Sequence, residues 1–277
     1  MKTVFITGAT GFLGTHLVAT FLKKGYQVIG SGHSESNIKE CERKFGDQIK
    51  LYSLDIGGDY APIKNIIKKH AVDYIIHAAA LKHVGICESS PTRAAQVNIG
   101  GSHNILKAAI ECDVKNVIGI STDKAINPKC VYGMTKKVME EMFLEHNFGV
   151  FQGVNFFFST GSVLDIWDKL KKEQKPIQAD PNAVRFFCII DDVCESIVNS
   201  LECRTRFSIS KCYEISISQL QKAFSKCHDY WKVNGHVPLS IEKGIEELPL
   251  EEIEILKPST TDIVELLKQH YSRGLNR

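Results

Sequence analysis

Five side chains able to move protons lie in one stretch, STDKAINPKCVYGMTK at 121–136. Thr122 offers a hydroxyl, Asp123 a carboxylate and Lys124 an amine; Tyr132 and Lys136 follow. A Tyr and a Lys four apart on a helix share one face, one turn apart. A positive charge beside a phenol lowers its pKa towards neutrality, so the phenol can take up and return a proton. Asp123 and Lys124 make a second acid/base pair, and the apolar run 117–120 places it at a strand end. Neither feature is specific alone. Most YxxxK pairs are solvated helix faces, and an Asp-Lys dipeptide after a strand is usually a turn. They gain weight only if a nucleotide-binding start precedes them in the same unit.

Such a start opens the chain. An apolar strand at 3–6 runs into TGATGFLG (7–14), and an amphipathic helix follows at 15–24. Strand, glycine-rich turn and helix form the context in which a glycine fingerprint signals a dinucleotide. Gly8 would permit the tight turn, Gly11 the approach of backbone to pyrophosphate, and Gly14 close packing of helix on strand. Thr10, Phe12 and Leu13 share that turn, where the helix N-terminus offers N–H groups to phosphate. The second strand ends in Gly30-Ser-Gly-His-Ser34, with no acid before Glu35. A ribose 2′-phosphate would there meet Ser31, His33 and Ser34 instead of a repelling carboxylate, so NADP(H) is expected, with NAD as the alternative. Asp55 and Ile56 would border the adenine. Ala78, Ala79 and Ala80 would let the cofactor lie against a strand end, with Lys82 and His83 facing the same crevice. Asn98 is either a solvated turn residue or a buried hydrogen-bonder.

The elements that must position these groups alternate regularly. Strands are expected at 3–6, 26–29, 49–54, 72–76 and 116–120, with helices at 15–24, 37–45, 60–70, 91–111 and 132–146. This is a Rossmann-type α/β fold, a doubly wound parallel sheet. Ligands in such sheets bind at the C-terminal strand ends, where 121–136 is delivered. Beyond 150 the pattern loosens. A sixth strand is expected at 150–158 and a seventh at 207–210, with helices at 163–172, 191–201, 218–228 and 261–271. The acidic stretch 231–258 has no clear period. The expected division is an NADP-binding domain at 1–158 and a smaller substrate-binding region at 159–277.

Composition fits this reading. The chain has 277 residues, 43% apolar and 24% charged, with net charge +2. That charge gives no reason to invoke nucleic acid or an anionic membrane. The nine cysteines lack regular spacing, which points to free thiols in a reducing cytoplasm and to no metal site. No signal peptide or membrane span is expected.

Together these residues resemble the extended short-chain dehydrogenase/reductases. Within them the chain is similar to the CapD/PseB polysaccharide-biosynthesis group, the inverting UDP-N-acetylglucosamine 4,6-dehydratases. The segments carrying the resemblance are TGATGFLG (7–14), AAALKHVGICESSP (78–91), VNIGGSHNILKAA (97–109), VKNVIGISTDKAINPKCVYGMTK (114–136) and RFFCIIDDV (185–193). The resemblance implies that Tyr132 and Lys136 oxidise the sugar C4 hydroxyl while contacting the nicotinamide. Asp123 and Lys124 would then share the removal of the C5 proton and the protonation of the departing C6 hydroxyl, in either assignment. Thr122 would hold the sugar oxygen. It also implies a UDP-sugar substrate and a homo-oligomer. Related 4-epimerases normally carry a second hydroxyl where Asp123 stands.

Two departures stand out. After the sixth strand the group has Arg-Tyr-Gly-Asn-Val, whereas this chain has Gln152-Gly-Val-Asn-Phe156, keeping only Asn155. The group's Arg-Pro-Gly-Glu-Lys element near the C-terminus has no counterpart. Asn155 and Arg185 remain candidate substrate contacts, with Lys82 and His83. The alternatives are a 4-epimerase or 4-keto reductase, and a non-catalytic NADP(H)-binding module.

Overall fold

The computed structural model describes residues 1–177, 180, 182–229 and 253–272. In chain order its strands are β1 (Thr3–Thr7), β2 (Gln27–Gly32), β3 (Ile49–Ser53), β4 (Tyr74–His77), β5 (Asn116–Thr122), β6 (Gly149–Gly153), β7 (Asn155–Phe156), β8 (Val184–Cys188), β9 (Arg206–Phe207), β10 (Lys211–Ser216) and β11 (Glu254–Leu256). The helices are α1 (Phe12–Lys23), α2 (Glu35–Phe45), α3 (Ala61–Lys69), α4 (Val84–Ser89), α5 (Pro91–Ala95), α6 (Gly101–Glu111), α7 (Val131–Glu145), α8 (Val163–Lys172), α9 (Ile190–Asn199), α10 (Ile217–His228) and α11 (Thr260–Ser272).

Residues 1–153 and 190–209 form one compact unit. Its sheet has the order β3-β2-β1-β4-β5-β6-β9, and every pairing is parallel. Helices cover both faces of such a sheet, so its central strands read as continuous apolar runs. All of β1 is buried accordingly. In α3, Ile63, Ile66 and Ile67 recur at helical spacing and are buried in the core with Phe5, Ile75, Val117 and Phe143. The strand order reverses between β1 and β4, and the carboxyl ends of these two strands flank the crevice where ligands bind in this architecture. Thr7 and His77, in register, mark those ends.

The C-terminal half of the expected fold is corrected in several places. β6 stops at Gly153 instead of running to 158. The next extended residues, Asn155–Phe156, pair with β8 in a different sheet. β9 is Arg206–Phe207, not 207–210, and lies beside β6. The expected helix at 91–111 is α5, a π-helical turn at Gln96–Gly100, and α6. Where one division after 158 was expected, residues 190–209 return to the first unit. There α9 packs on α1, with Lys24 and Glu195 paired at 2.8 Å.

The second unit comprises 154–189 and 210 onward. Its sheet, β11-β10-β8-β7, mixes parallel and antiparallel pairs, and β8 and β10 are absent from the sequence expectation. Its core gathers Trp167, Phe187, Phe224, Ile263 and Leu267. Ser216 and Gln219 form a reciprocal capping box on α10. Most of the stretch 231–258 lies outside the described residues. Among the described residues no helix is long and apolar enough to cross a membrane.

Candidate active site

The turn after β1 is built from absent side chains. Gly8 has φ of +70°, and a Cβ there would stand 2.8 Å from the Ala79 backbone nitrogen. A Cβ on Gly14 would stand 2.1 Å from the Gly8 carbonyl oxygen. Both positions therefore exclude any larger residue. Gly11 is the N-cap of α1 and brings no side-chain cap to the helix N-terminus. Thr10 packs against Gly32, where a Cβ would meet its Oγ1 at 2.4 Å. Phe12 is half-buried and Leu13 buried at the start of the helix.

At the end of β2, Ser31 is buried, His33 is exposed and Ser34 is half-buried, its hydroxyl 2.9 Å from that of Ser36. Asp55 accepts from the Gly57 N–H at 3.0 Å and from Arg93 at 2.9 Å. The Arg93 guanidinium holds its pKa below the usual carboxylate range. Ile56 is buried, lying where a Cβ on Gly101 would meet its side chain. Ala78, Ala79 and Ala80 are half-buried; Lys82 and His83 are exposed.

A polar chain links the two halves of this unit. The Ala79 N–H donates to Thr7 Oγ1 at 3.3 Å, and Thr7 Oγ1 lies 2.8 Å from His77 Nδ1. His77 Nε2 lies 3.0 Å from Ser102 Oγ, which donates to the Asn98 carbonyl at 2.6 Å. Since Ser102 spends its proton on Asn98, it accepts from Nε2–H, and Nδ1 accepts from Thr7. Complete burial pushes the His77 pKa down to about 3, and Lys136 adds to this, so the imidazole is neutral. The Asn98 side chain accepts from the Leu81 N–H at 2.8 Å and donates to the Leu81 carbonyl and to Thr135 Oγ1, each at 3.0 Å. Thr135 donates on to the Tyr132 carbonyl at 2.8 Å. Asn98 is thus the buried hydrogen-bonder of the two readings open in the sequence. The π-helical turn occurs where it faces inward.

β5 delivers Thr122, which donates to Asp123 at 2.7 Å. Asp123 pairs with Lys124 at 3.7 Å within a 3-10 turn, Asp123–Ala125. A Cβ on Gly133 would fall 2.2 Å from the Lys124 carbonyl oxygen. Gly133 therefore lets the first turn of α7 rest directly on the turn that carries the ion pair. Val131 N–H donates to Glu88 at 2.7 Å, a carboxylate at the helix N-terminus. Tyr132 is half-buried. Lys136 is 2% exposed, and burial pushes its pKa down to about 7, with Glu140 opposing. The positive charge expected beside the phenol therefore titrates near neutrality instead of being fixed.

Asn155 and Arg185 belong to the second unit. The Asn155 amide donates to the Phe186 carbonyl at 2.9 Å, and Arg185 donates to the Val184 carbonyl at 2.9 Å. The sequence reading missed His77, Glu88, Gly133, Glu140 and Arg206. Two of these had a signal: Glu140 continues the four-residue spacing of Tyr132 and Lys136, and Gly133 interrupts a helix start.

Residues 4–247 match the model of the polysaccharide biosynthesis protein family. A UDP-N-acetylglucosamine 4,6-dehydratase (inverting) of Campylobacter jejuni is 32% identical over 215 residues, covering 73% of this chain and 64% of the relative. A UDP-glucose 4-epimerase of Rickettsia conorii is 32% identical over 219 residues, covering 73% and 63%. The chain thus spans less than two thirds of the length of these curated relatives. The UDP-glucose 4-epimerase structure from Thermotoga maritima, solved with UDP-glucose, has the same fold, with a TM-score of 0.81, 22% identity and coverage of 99% and 100%.

Proposed function

The chain belongs to the polysaccharide biosynthesis protein family, within the extended short-chain dehydrogenase/reductases, and we propose that it is a sugar-nucleotide 4,6-dehydratase. The substrate is UDP-N-acetylglucosamine and the product a 4-keto-6-deoxy sugar nucleotide inverted at C5. The observation that carries this reading is the Asp123–Lys124 pair at the end of β5, directly under the first turn of α7. An epimerase needs only the Tyr/Lys couple. Elimination of water needs one more base and one more acid.

The glycine turn fits a dinucleotide, because its geometry leaves no room for a Cβ at Gly8 or Gly14 and the N-cap Gly11 brings no side chain to α1. Ser31, His33 and Ser34, without a carboxylate before Glu35, favour the NADP form. The bound nicotinamide would supply a reversible hydride acceptor. Tyr132 takes the C4 hydroxyl proton, and the Lys136 ammonium stabilises the phenolate. The resulting 4-ketone acidifies C5–H. Asp123 and Lys124 divide proton removal at C5 from protonation of the leaving C6 hydroxyl, and Thr122 holds a sugar oxygen. Loss of water leaves a C5–C6 double bond; the hydride removed from C4 would return to C6 while a proton is added at C5 from the opposite face, which gives the 6-deoxy, C5-inverted product. The second unit, with Asn155 and Arg185, is the proposed substrate-binding region.

Incubation with UDP-N-acetylglucosamine in D2O tests the reading. The expected result is a 4-keto-6-deoxy product carrying deuterium at C5. Recovery of the intact hexose with C4 inverted would establish the epimerase instead. Stoichiometric NADPH consumption with a 4-keto-6-deoxy sugar nucleotide supplied in place of UDP-N-acetylglucosamine would establish a 4-keto reductase.

A further inference from the structure

Glu140 lies four residues beyond Lys136 on α7, so Tyr132, Lys136 and Glu140 form one stripe. Its side chain is completely buried. A carboxylate is kept in such a place only when donors surround it. Three strands provide them. Ser121 of β5 and Gln152 of β6, the latter at 2.8 Å, donate to Oε1, and Arg206 of β9 donates to Oε2 at 3.1 Å. Ser121 immediately precedes Thr122, so the carboxylate ties the strand end of the site to its helix. Arg206 also reaches Glu141 and is 31% exposed. It belongs to the segment that returns to this unit after residue 189.

We propose that Glu140 is a positioning residue of the site, keeping the Lys136 amine in its ammonium form, and that Arg206 sets how much of the carboxylate's field Lys136 feels. Its bearing on catalysis rests on the dehydratase reading. Burial alone disfavours the ammonium, and Glu140 is the group that opposes it. Other groups on elements packed against α7 are differently engaged. His77 of β4 stays neutral. Asp123 and Lys124 neutralise each other, and Glu88 of α4 serves the helix N-terminus. Arg93 of α5 is held by Asp55. On α6, Lys107 lies over Tyr60, Glu111 pairs with Lys64, and His103 is exposed. β5 and β6 carry no titratable side chain.

The test is an NMR titration of Lys136 in protein carrying 13Cε-labelled lysine, with the signal assigned through Lys136→Met. Glu140→Gln should lower the titration midpoint by about one pH unit or more. Arg206→Gln should raise it, because the carboxylate loses its counter-charge, and Arg206→Lys should restore it. Midpoints unmoved in both variants, or moved in the same direction, would overturn the proposal. If Glu140→Gln does not fold, Arg206→Gln decides alone, and an unchanged or lowered midpoint overturns it. The pH–rate limb should move with the midpoint. Absence of dehydration with the midpoints shifted would remove only the dehydratase reading. Normal dehydration with unmoved midpoints would remove only this inference.

Discussion

The ends of β1 and β5 lie in one sheet, separated by β4, and are built from opposite materials. The β1 end, TGATGFLG, has no charged side chain and excludes Cβ atoms at Gly8 and Gly14. The β5 end concentrates charge, with a fully buried Glu140, a nearly buried Lys136 and the Asp123–Lys124 pair. The difference fits the two tasks proposed for them. A phosphate is held by backbone N–H groups, which requires that side chains stay away. A proton is moved by groups whose pKa values lie near the working pH, and burial among selected charges is what brings them there.

The sharpest way to separate the two ends is Tyr132→Phe. The hydroxyl alone is removed, so turnover of UDP-N-acetylglucosamine should fall by about 10²–10⁴-fold, the usual worth of a positioned proton-transfer group. NADP(H) affinity, measured by fluorescence titration, should change little, because the glycine turn is untouched. Equal losses of rate and of affinity would show that the two ends do not have separate tasks.

Glycine substitutions break the comparison from the other side. Gly8→Ala forces a side chain into a positive-φ position and against Ala79. The cost is at least about 1–3 kcal/mol, and dinucleotide binding should be lost with it. Gly133→Ala meets the Lys124 carbonyl at similarly short range. Its stability cost should be alike, but the lost property should be turnover, with NADP(H) binding retained. Thermal unfolding with and without NADP(H) distinguishes them: a ligand-dependent rise in Tm should survive in Gly133→Ala and vanish in Gly8→Ala.

The same contrast explains what could be read from the sequence. The β1 end is local: strand, glycine turn and helix are consecutive, and the spacing of Gly8, Gly11 and Gly14 is enough to place the turn. Tyr132 and Lys136 were equally legible, being one turn apart. The support beneath them was not. His77 is 25 residues from Ser102, and Glu140 is 66 residues from Arg206. No periodicity in one segment announces a partner in another. The second unit was hardest, because its strands are short and mixed, and β7 and β8 pair across an intervening helix. Asn155 stood out by alignment with a motif, yet its amide serves the neighbouring strand at Phe186.

His77 joins the two ends, and its titration gives the smallest expected effect. Its folded pKa is depressed to about 3 by burial, against an ordinary value of 6.5. Between these values the unfolded chain binds a proton that the folded chain refuses, so stability is fully present above pH 6.5 and declines as pH falls towards 3. From pH 7.5 to pH 5 this single group should cost about 2 kcal/mol. His77→Gln keeps an amide donor for Ser102 but cannot take the proton. The variant should be less stable at pH 7.5, since Thr7 loses its acceptor, but its stability should fall less steeply with acid. Urea unfolding at the two pH values measures the difference in slope. A parent and variant that lose stability in parallel would show that His77 already accepts a proton in the folded chain. The directional relay from Thr7 to Asn98 would then be wrong, because a doubly protonated imidazole cannot accept from Thr7.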